Sequence, residues 1–337
     1  MGATSSCGNE QEKINWRNNI YQIMGKVNSK DVEKLFERQF VKWPMAKNNF
    51  EALKGVKVKE VKVNNATFKV QFNPARIVSS AAKVDAKSLK ERKCFLCAAN
   101  RPAEQEGIEI DGDYTILINP FPIFPRHLTI PCNEHVDQRI YSRIGDMMDI
   151  AAQLDDYILF YNGPKCGASA PDHMHFQAGN KGFMTFDADL ALAQKEEIAK
   201  SGEGELSLIK GLSRVAFLIE STSTKDAEDL FKSLYKAFPL VEGEDEPMLN
   251  ILCWYGDGKW TIAVFPRVKH RPSFYYAEGD ANLLITPASV DMGGVFITPL
   301  EKDFNKVTSA DIQNILNEVC YDDKAAQEVI NRLKNNQ

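Results

Sequence analysis

His173-Met174-His175-Phe176-Gln177 alternates polar and apolar side chains at every step. Only a period of two turns Met174 and Phe176 to one face and His173, His175 and Gln177 to the other. The segment therefore calls for an extended strand with core under one face and a hollow over the other. Gly167-Ala168-Ser169-Ala170-Pro171-Asp172 precedes it, small and turn-forming residues that let a backbone approach a ligand closely. A strand whose polar face happens to hold two of the chain's five histidines is the bland alternative; the turn-forming approach weighs against it.

The rest of the chain alternates strands with helices. Apolar residues from Asp31 to Phe50 recur at helical spacing, with Pro44 ending or kinking the helix. Val56 to Phe72 reads as two strands about Asn64-Asn65, and Tyr114–Ile118, Leu128–Ile130 and Tyr157–Tyr161 as further strands. Ile140–Leu154 reads as a helix. Residues 194–205 are charged and contain Gly, which predicts a linker. Beyond it the pattern gives a strand at Val215–Ile219, a helix at Ala227–Phe238 and a hairpin through Gly256-Asp257-Gly258. A strand at Val295–Ile297 and a final helix at Ser309–Val319 follow. The expected division is a loose tail at 1–13, an N-terminal domain at 14–193, the linker, and a C-terminal domain at 206–337. Phe124-Pro125-Arg126-His127 and Phe265-Pro266-Arg267 echo one another, which suggests an internal duplication. The fold class is α+β: two related halves, antiparallel sheets, helices packed on one side.

With 337 residues and 44% hydrophobic content the chain can bury a sizeable core, and a net charge of −5 argues against general nucleic-acid binding. No apolar run is long enough to cross a bilayer, and none near Met1 looks like an export signal. The start, Met1-Gly2-Ala3-Thr4-Ser5-Ser6, formally fits a myristoylation pattern, but a small-residue loose start is the favoured reading. Seven thinly spread cysteines do not make a disulfide framework, so the expected compartment is the reducing cytoplasm.

Cys94-Phe95-Leu96-Cys97 can hold one edge of a tetrahedral zinc. Two more ligands are needed. His135 and His173 are the natural candidates, because His127 sits in a Pro-rich loop and His175 should face substrate. Reduced bystander thiols and a redox pair are the alternatives; a redox pair normally opens a helix after a strand. Iron accepts the same ligand set.

These motifs resemble those of galactose-1-phosphate uridylyltransferase, in the histidine-triad superfamily: the Cys-Phe-Leu-Cys-Ala-Ala-Asn-Arg run, the downstream His135 and the His-x-His-x-Gln strand. The resemblance implies structural zinc on Cys94, Cys97, His135 and His173, with His175 as nucleophile. It also implies two histidine-triad-like halves. The stretch from Ile285 to Pro299, followed by Glu301-Lys302-Asp303-Phe304, is similar to the end of GDP-L-galactose and GDP-D-glucose phosphorylases. Diadenosine tetraphosphate phosphorylases resemble the chain more loosely. The phosphorylases lack the Cys pair, and the uridylyltransferase has a different second half. As a whole the chain looks like an uncharacterised bacterial group of the kind found in gut Bacteroides.

The chemistry stands beside the resemblance. Neutral imidazole can attack an α-phosphorus and leave again, because its pKa lies near neutrality. One nitrogen of His175 attacks while the other donates to a fixed acceptor, usually a backbone carbonyl. Gln177 donates its amide to a non-bridging phosphate oxygen. Gly167, Ser169, Asn162 and Lys165 would hold other oxygens. Arg76, Arg126, Arg267, Lys269 and Arg271 are further phosphate candidates. A non-titrating Gln177 suits an acceptor that arrives ionised. The expected function is therefore a nucleotidyltransferase or nucleoside-diphosphate-sugar phosphorylase passing a nucleoside monophosphate through His175 to inorganic phosphate or a sugar 1-phosphate. The alternatives are a hydrolase of dinucleoside polyphosphates and a non-catalytic nucleotide or zinc-binding module. Expected partners are a nucleoside diphosphate sugar or dinucleoside polyphosphate, with no nucleic acid or membrane; a homodimer is compatible with the sequence.

Overall fold

The computed structural model describes residues 26–77 and 86–335. Gly2, Cys7, Trp16, the expected tail and part of the basic stretch before Cys94 lie outside them. Helix α1 (Ser29–Lys42) starts where Asn28 accepts from the N–H groups of Lys30 and Asp31, a cap typically worth about 1 kcal/mol. Its buried stripe is Val32, Leu35, Phe36 and Gln39. The chain turns at Trp43. Pro44 then opens α2 (Pro44–Ala52), the one helical position where a missing N–H costs nothing.

Strands β1 (Lys57–Val63) and β2 (Ala66–Phe72) form the expected hairpin. Helix α3 (Ala86–Glu91) leads to the Cys pair. Five strands of the first half follow: β3 (Gly107–Ile110), β4 (Tyr114–Ile118), β5 (Leu128–Pro131), β6 (Tyr157–Asn162) and β7 (His175–Asn180), with α4 (Ile144–Gln153) between β5 and β6. After α5 (Phe186–Leu190) come β8 (Gln194–Ser201), β9 (Gly204–Lys210), β10 (Ala216–Ser221), α6 (Thr224–Ala237), β11 (Leu249–Gly256) and β12 (Lys259–Pro266). The chain closes with α7 (Ser273–Tyr276), α8 (Ser289–Met292), β13 (Val295–Thr298), α9 (Glu301–Lys306), α10 (Ser309–Val319) and α11 (Asp323–Asn335).

Strands β3 to β12 form one ten-stranded sheet in the order β3-β4-β5-β7-β6-β11-β12-β10-β9-β8, and every pairing is antiparallel. Reading inward from either edge gives the same connectivity: three strands in sequence, then the fifth, then the fourth, with a helix after the third. The two halves are thus topological copies, meeting antiparallel at β6 and β11, where Asn162 faces Asn250. The repeat is one of strand connectivity, and the Phe-Pro-Arg echo does not mark it. Phe124–His127 leads into β5, whereas Phe265–Arg267 ends β12, the counterpart of β7.

Three further expectations are corrected. Residues 194–205 are not a linker: they form β8 and its turn into β9, completing the sheet. Their charges suit an outermost strand, which natural sheets keep polar to avoid pairing with other chains. Ser309–Val319 is not the final helix, because α11 follows and packs Ala326, Val329, Ile330 and Leu333 into the core. Strand β13 pairs in parallel with β2, making a three-stranded sheet of β1, β2 and β13.

Both faces of the large sheet are buried. Helices α1, α2, α4, α6 and α11 cover one face. The three-stranded sheet with α5, α8, α9 and α10 covers the other. Central strand β6 shows the consequence in sequence. Tyr157, Leu159 and Tyr161 enter the first core and Ile158 and Phe160 the second, so its apolar run is unbroken.

Candidate active site and metal cluster

Met174 and Phe176 point into the helix-covered core, as the alternation requires. The strand proper begins at His175, so His175 and Gln177 share the opposite face, while His173 sits in the turn before it. That face opens on a cavity of about 580 Å³. Its wall combines both parts of the chain: Arg76, Asn119, Thr129, Asn162, Gly167, Ser169, His175 and Gln177 from the first, Thr286, Ala288 and Asp291 from the second. Gly167 has φ +97°, and a Cβ there would stand 2.5 Å from the Cβ of Ala288. Only glycine permits this approach of the two halves at the cavity wall.

The hydrogen bonds fix each imidazole. His175 Nδ1 lies 2.8 Å from the carbonyl oxygen of His173. A carbonyl only accepts, so Nδ1 carries the proton and Nε2 keeps its lone pair. The backbone N–H of His175 donates to Gln138 Oε1, and Gln138 Nε2 donates to the carbonyls of Asn162 and His175. Burial lowers the His175 pKa to about 4, so the ring is neutral and available as a nucleophile.

His127 is the residue that sequence reasoning passed over. It is fully buried, and its Nδ1 accepts from the N–H of Ile123 at 3.1 Å. The proton must then be on Nε2, which donates to Gln177 Oε1 at 3.1 Å. Burial, reinforced by the Arg76 charge, pushes its pKa down to about 3. A neutral, tautomerically fixed His127 thereby holds the carbonyl of the Gln177 amide and leaves the NH₂ group free to donate. The sequence signal was its position, four residues after Ile123 and directly before β5.

Cys94, Cys97, His135 and His173 converge so that their ligand atoms lie within 4.8 Å of one another. Cys94 Sγ and Cys97 Sγ lie 3.2 and 3.6 Å from His173 Nδ1, and His135 Nδ1 lies 3.2 Å from Cys97 Sγ and 3.1 Å from His173 Nδ1. A tetrahedron with metal–sulfur bonds of about 2.3 Å and metal–nitrogen bonds of about 2.05 Å has edges of roughly 3.3–3.8 Å. His173 Nε2 donates to the Cys132 carbonyl at 2.8 Å, which leaves Nδ1 bare for a metal. The four residues can therefore hold a metal ion.

The remaining candidates divide. Arg76 lines the cavity, its Nη1 donating to the Phe121 carbonyl at 2.6 Å, and burial lowers its pKa to about 10. Asn162, Gly167 and Ser169 also line it. Five cations do not. Lys165 pairs with Glu244, Lys269 with Glu318, and Arg126 with Glu33 at 2.7 Å, all at the surface. Arg271 stacks on Tyr275 at 4.3 Å. Arg267, expected as a phosphate ligand, is only 2% exposed. It donates to the carbonyls of Val319, Pro287, Lys269 and His270 and to Asn250 Oδ1. Its charge is spent on tying the C-terminal loops to β11. Through Asn250, which donates to Asn162 Oδ1 and the Cys166 carbonyl, it braces the loop under the cavity. Trp43 is buried but also forms cavity wall beside Met45 and Leu117.

Two family models match the chain: "Domain of unknown function (DUF4922)" over residues 35–180 and "GDPGP1-like, C-terminal domain" over residues 193–336. Diadenosine 5',5'''-P1,P4-tetraphosphate phosphorylase 2 of Saccharomyces cerevisiae is 30% identical over 162 residues, 43% of this chain and 49% of the relative. The match thus spans about half the length of that curated relative. The crystal structure of yeast Ap4A phosphorylase Apa2 superposes with a TM-score of 0.52 at 20% identity, covering 82% of this chain and 94% of that one. Over those 162 residues the chain is similar to Ap4A phosphorylase. The structure of the same yeast enzyme in complex with AMP gives a TM-score of 0.52 at 19% identity over 83% of this chain and 97% of that one. At such identities the superposition speaks for the fold: the α+β arrangement is that of the yeast enzyme.

Proposed function

We propose that the protein is a nucleotidyltransferase of the phosphorylase type, working through a nucleotidyl-His175 intermediate. The observation that carries this reading is the His175 imidazole, with Nδ1–H tied to the His173 carbonyl and Nε2 free on the face that lines the cavity. Homology to Ap4A phosphorylase and a GDPGP1-like second half support the same reaction class.

In the first step Nε2 of His175 attacks the α-phosphorus of the donor. The bond from phosphorus to the bridging oxygen breaks, and the remainder leaves as a phosphate anion. In the second step an oxygen of inorganic phosphate or a sugar 1-phosphate attacks the same phosphorus. The P–N bond then breaks and the lone pair returns to Nε2. Nδ1–H stays on the His173 carbonyl throughout and steadies the positive charge on the ring. The Gln177 NH₂, aimed by His127, donates to a non-bridging oxygen, a contribution typically worth ~2.7–4 kcal/mol in the transition state. Ser169 and backbone N–H groups of the Gly167–Ser169 turn take the others.

The Cys94, Cys97, His135 and His173 set suits zinc, resembling the uridylyltransferase site. Bound there, zinc supplies cross-linking of the Cys94–Cys97 turn to the catalytic strand, and four protein ligands leave it no position for substrate. The donor is a dinucleoside polyphosphate or a nucleoside diphosphate sugar.

Intact mass after incubation with diadenosine tetraphosphate, UDP-glucose, GDP-glucose or GDP-fucose, without acceptor, tests the proposal. A gain of one nucleoside monophosphate, absent in His175→Ala, is the expected result and names the base. Nucleotide release in water without an adduct favours a hydrolase and overturns it.

A further inference from the structure

We propose that Arg92 is an anion-binding residue of the cavity, taking an oxygen of the phosphate next to the reacting phosphorus, and that the Cys/His cluster sets its position. What occupies the cavity rests on the nucleotidyl-transfer reading.

Arg92 lines the cavity with Phe95, Leu96, Ser169 and His175. Its Nη2 donates to Asp172 Oδ1 at 2.5 Å, in a pair whose side chains are each 23% exposed. The guanidinium carbon stands 5.1 Å from the centre of the Phe95 ring. Nη1 is buried and has no hydrogen-bond partner among the described residues. A buried N–H normally finds an acceptor, and one left without it in a ligand cavity asks for one. The planar guanidinium suits a phosphate oxygen, and the Asp172 and Phe95 contacts hold its orientation in advance.

The placement follows from the cluster. Arg92 lies two residues before Cys94, and Asp172 directly precedes His173. Cys94 Sγ and His173 Nδ1 are 3.2 Å apart. Whatever pins Cys94 to His173 therefore also pins Arg92 to Asp172. In this way a cluster that touches no substrate still shapes the anion site.

One subsite serves both halves of the reaction. By microscopic reversibility the acceptor enters along the line on which the leaving group departed. The β-phosphate of the donor and the incoming phosphate therefore meet the same arginine.

The test uses inorganic tripolyphosphate, which carries no base and no transferable nucleotide, titrated calorimetrically into the full chain. Orthophosphate is the second probe, standing for the acceptor alone. Arg92→Gln weakens tripolyphosphate by roughly 10-fold or more, the usual size of a lost charged hydrogen bond. Arg92→Lys, a point charge without the fork, falls between. Asp172→Asn, which frees the arginine without touching a ligand, costs several-fold, and metal content stays at the wild-type level in all three. Orthophosphate that weakens in parallel assigns the subsite to acceptor as well as donor; orthophosphate that does not move overturns the shared subsite. Tripolyphosphate binding equally well to Arg92→Gln, or failing to bind the wild type, overturns the anion site. These outcomes are independent of the mass adduct on His175, so failure of the transferase reading is seen separately.

Discussion

Replacing His127 by Leu tests how the amide of Gln177 is aimed. The substitution removes the donor to Gln177 Oε1 and the acceptor for the Ile123 N–H, both at 3.1 Å, the first part-buried and the second buried. Each partner left alone costs about 1–3 kcal/mol, so stability falls by about 2–6 kcal/mol. The catalytic effect has two bounds. An amide merely free to flip loses about half its productive population, a factor of about 2. An amide that turns away altogether loses the donor outright, about 10²–10³ in rate. In a site where Leu offers Oε1 nothing, the side chain seeks partners elsewhere, and the expected loss is tenfold or more. His127→Gln is the control, because its amide nitrogen can reach the Nε2 position and keep the bond to Oε1. The assay is rapid-quench intact mass of the nucleotidyl-enzyme at saturating donor, with thermal melts separating stability from rate. His127→Leu within twofold of wild type, or His127→Gln no better than His127→Leu, refutes the assignment.

His127 also makes acid stability predictable. Its folded pKa of about 3 lies below the unfolded value of 6.5. Between these values the unfolded chain binds the extra proton, so the stabilisation is whole above pH 6.5 and is lost as pH falls toward 3. Between pH 8 and pH 5 wild type should lose about 2 kcal/mol more than His127→Gln, as read from denaturant midpoints. Cys97→Ser should reduce metal from about one equivalent to nearly none by elemental analysis and lower the melting temperature, since a structural four-ligand site is part of the folding energy. A wild-type chain purified under metal-replete conditions that carries no metal contradicts this. Arg267→Met strips donors from four carbonyls and from Asn250, and should cost about 3–5 kcal/mol in urea melts. A soluble, wild-type-like melt with weakened phosphate binding would return Arg267 to the role of ligand.

The sequence made local pattern legible and long-range pairing opaque. Alternation at His173–Gln177 placed β7 and told which side chains enter the core. The Cys94–Cys97 spacing led to a cluster whose other two members lie 38 and 76 positions from Cys97. Charge misled in both directions. Arg267 carries the same basic signal as Arg76, yet one is a buried brace and the other forms cavity wall. What each guanidinium faces decides between them, and that depends on β11 and α10 arriving from elsewhere. The charged run at 194–205 was equally ambiguous, since an edge strand and a solvated linker have the same composition.

The duplication carries a consequence for the site. In the second half the counterpart of β7 is β12, whose residues Lys259–Pro266 include no histidine. Directly before β10, where the first half has His127 before β5, stands Val215, preceded by Arg214. The Arg214 guanidinium lies 4.7, 5.1 and 5.9 Å from the rings of Phe68, Phe186 and Phe265, and it donates to the carbonyls of Met292 and Leu212. The space that holds a cavity in the first half is here filled by aromatic packing. The second copy therefore offers no histidine to a nucleotide from the strand that corresponds to β7. Its contribution is made across the β6–β11 seam, as Thr286, Ala288 and Asp291 on the wall and as the Arg267–Asn250 brace beneath Asn162. On the proposed mechanism the mass gain in the adduct experiment should therefore stop at a single nucleoside monophosphate per chain.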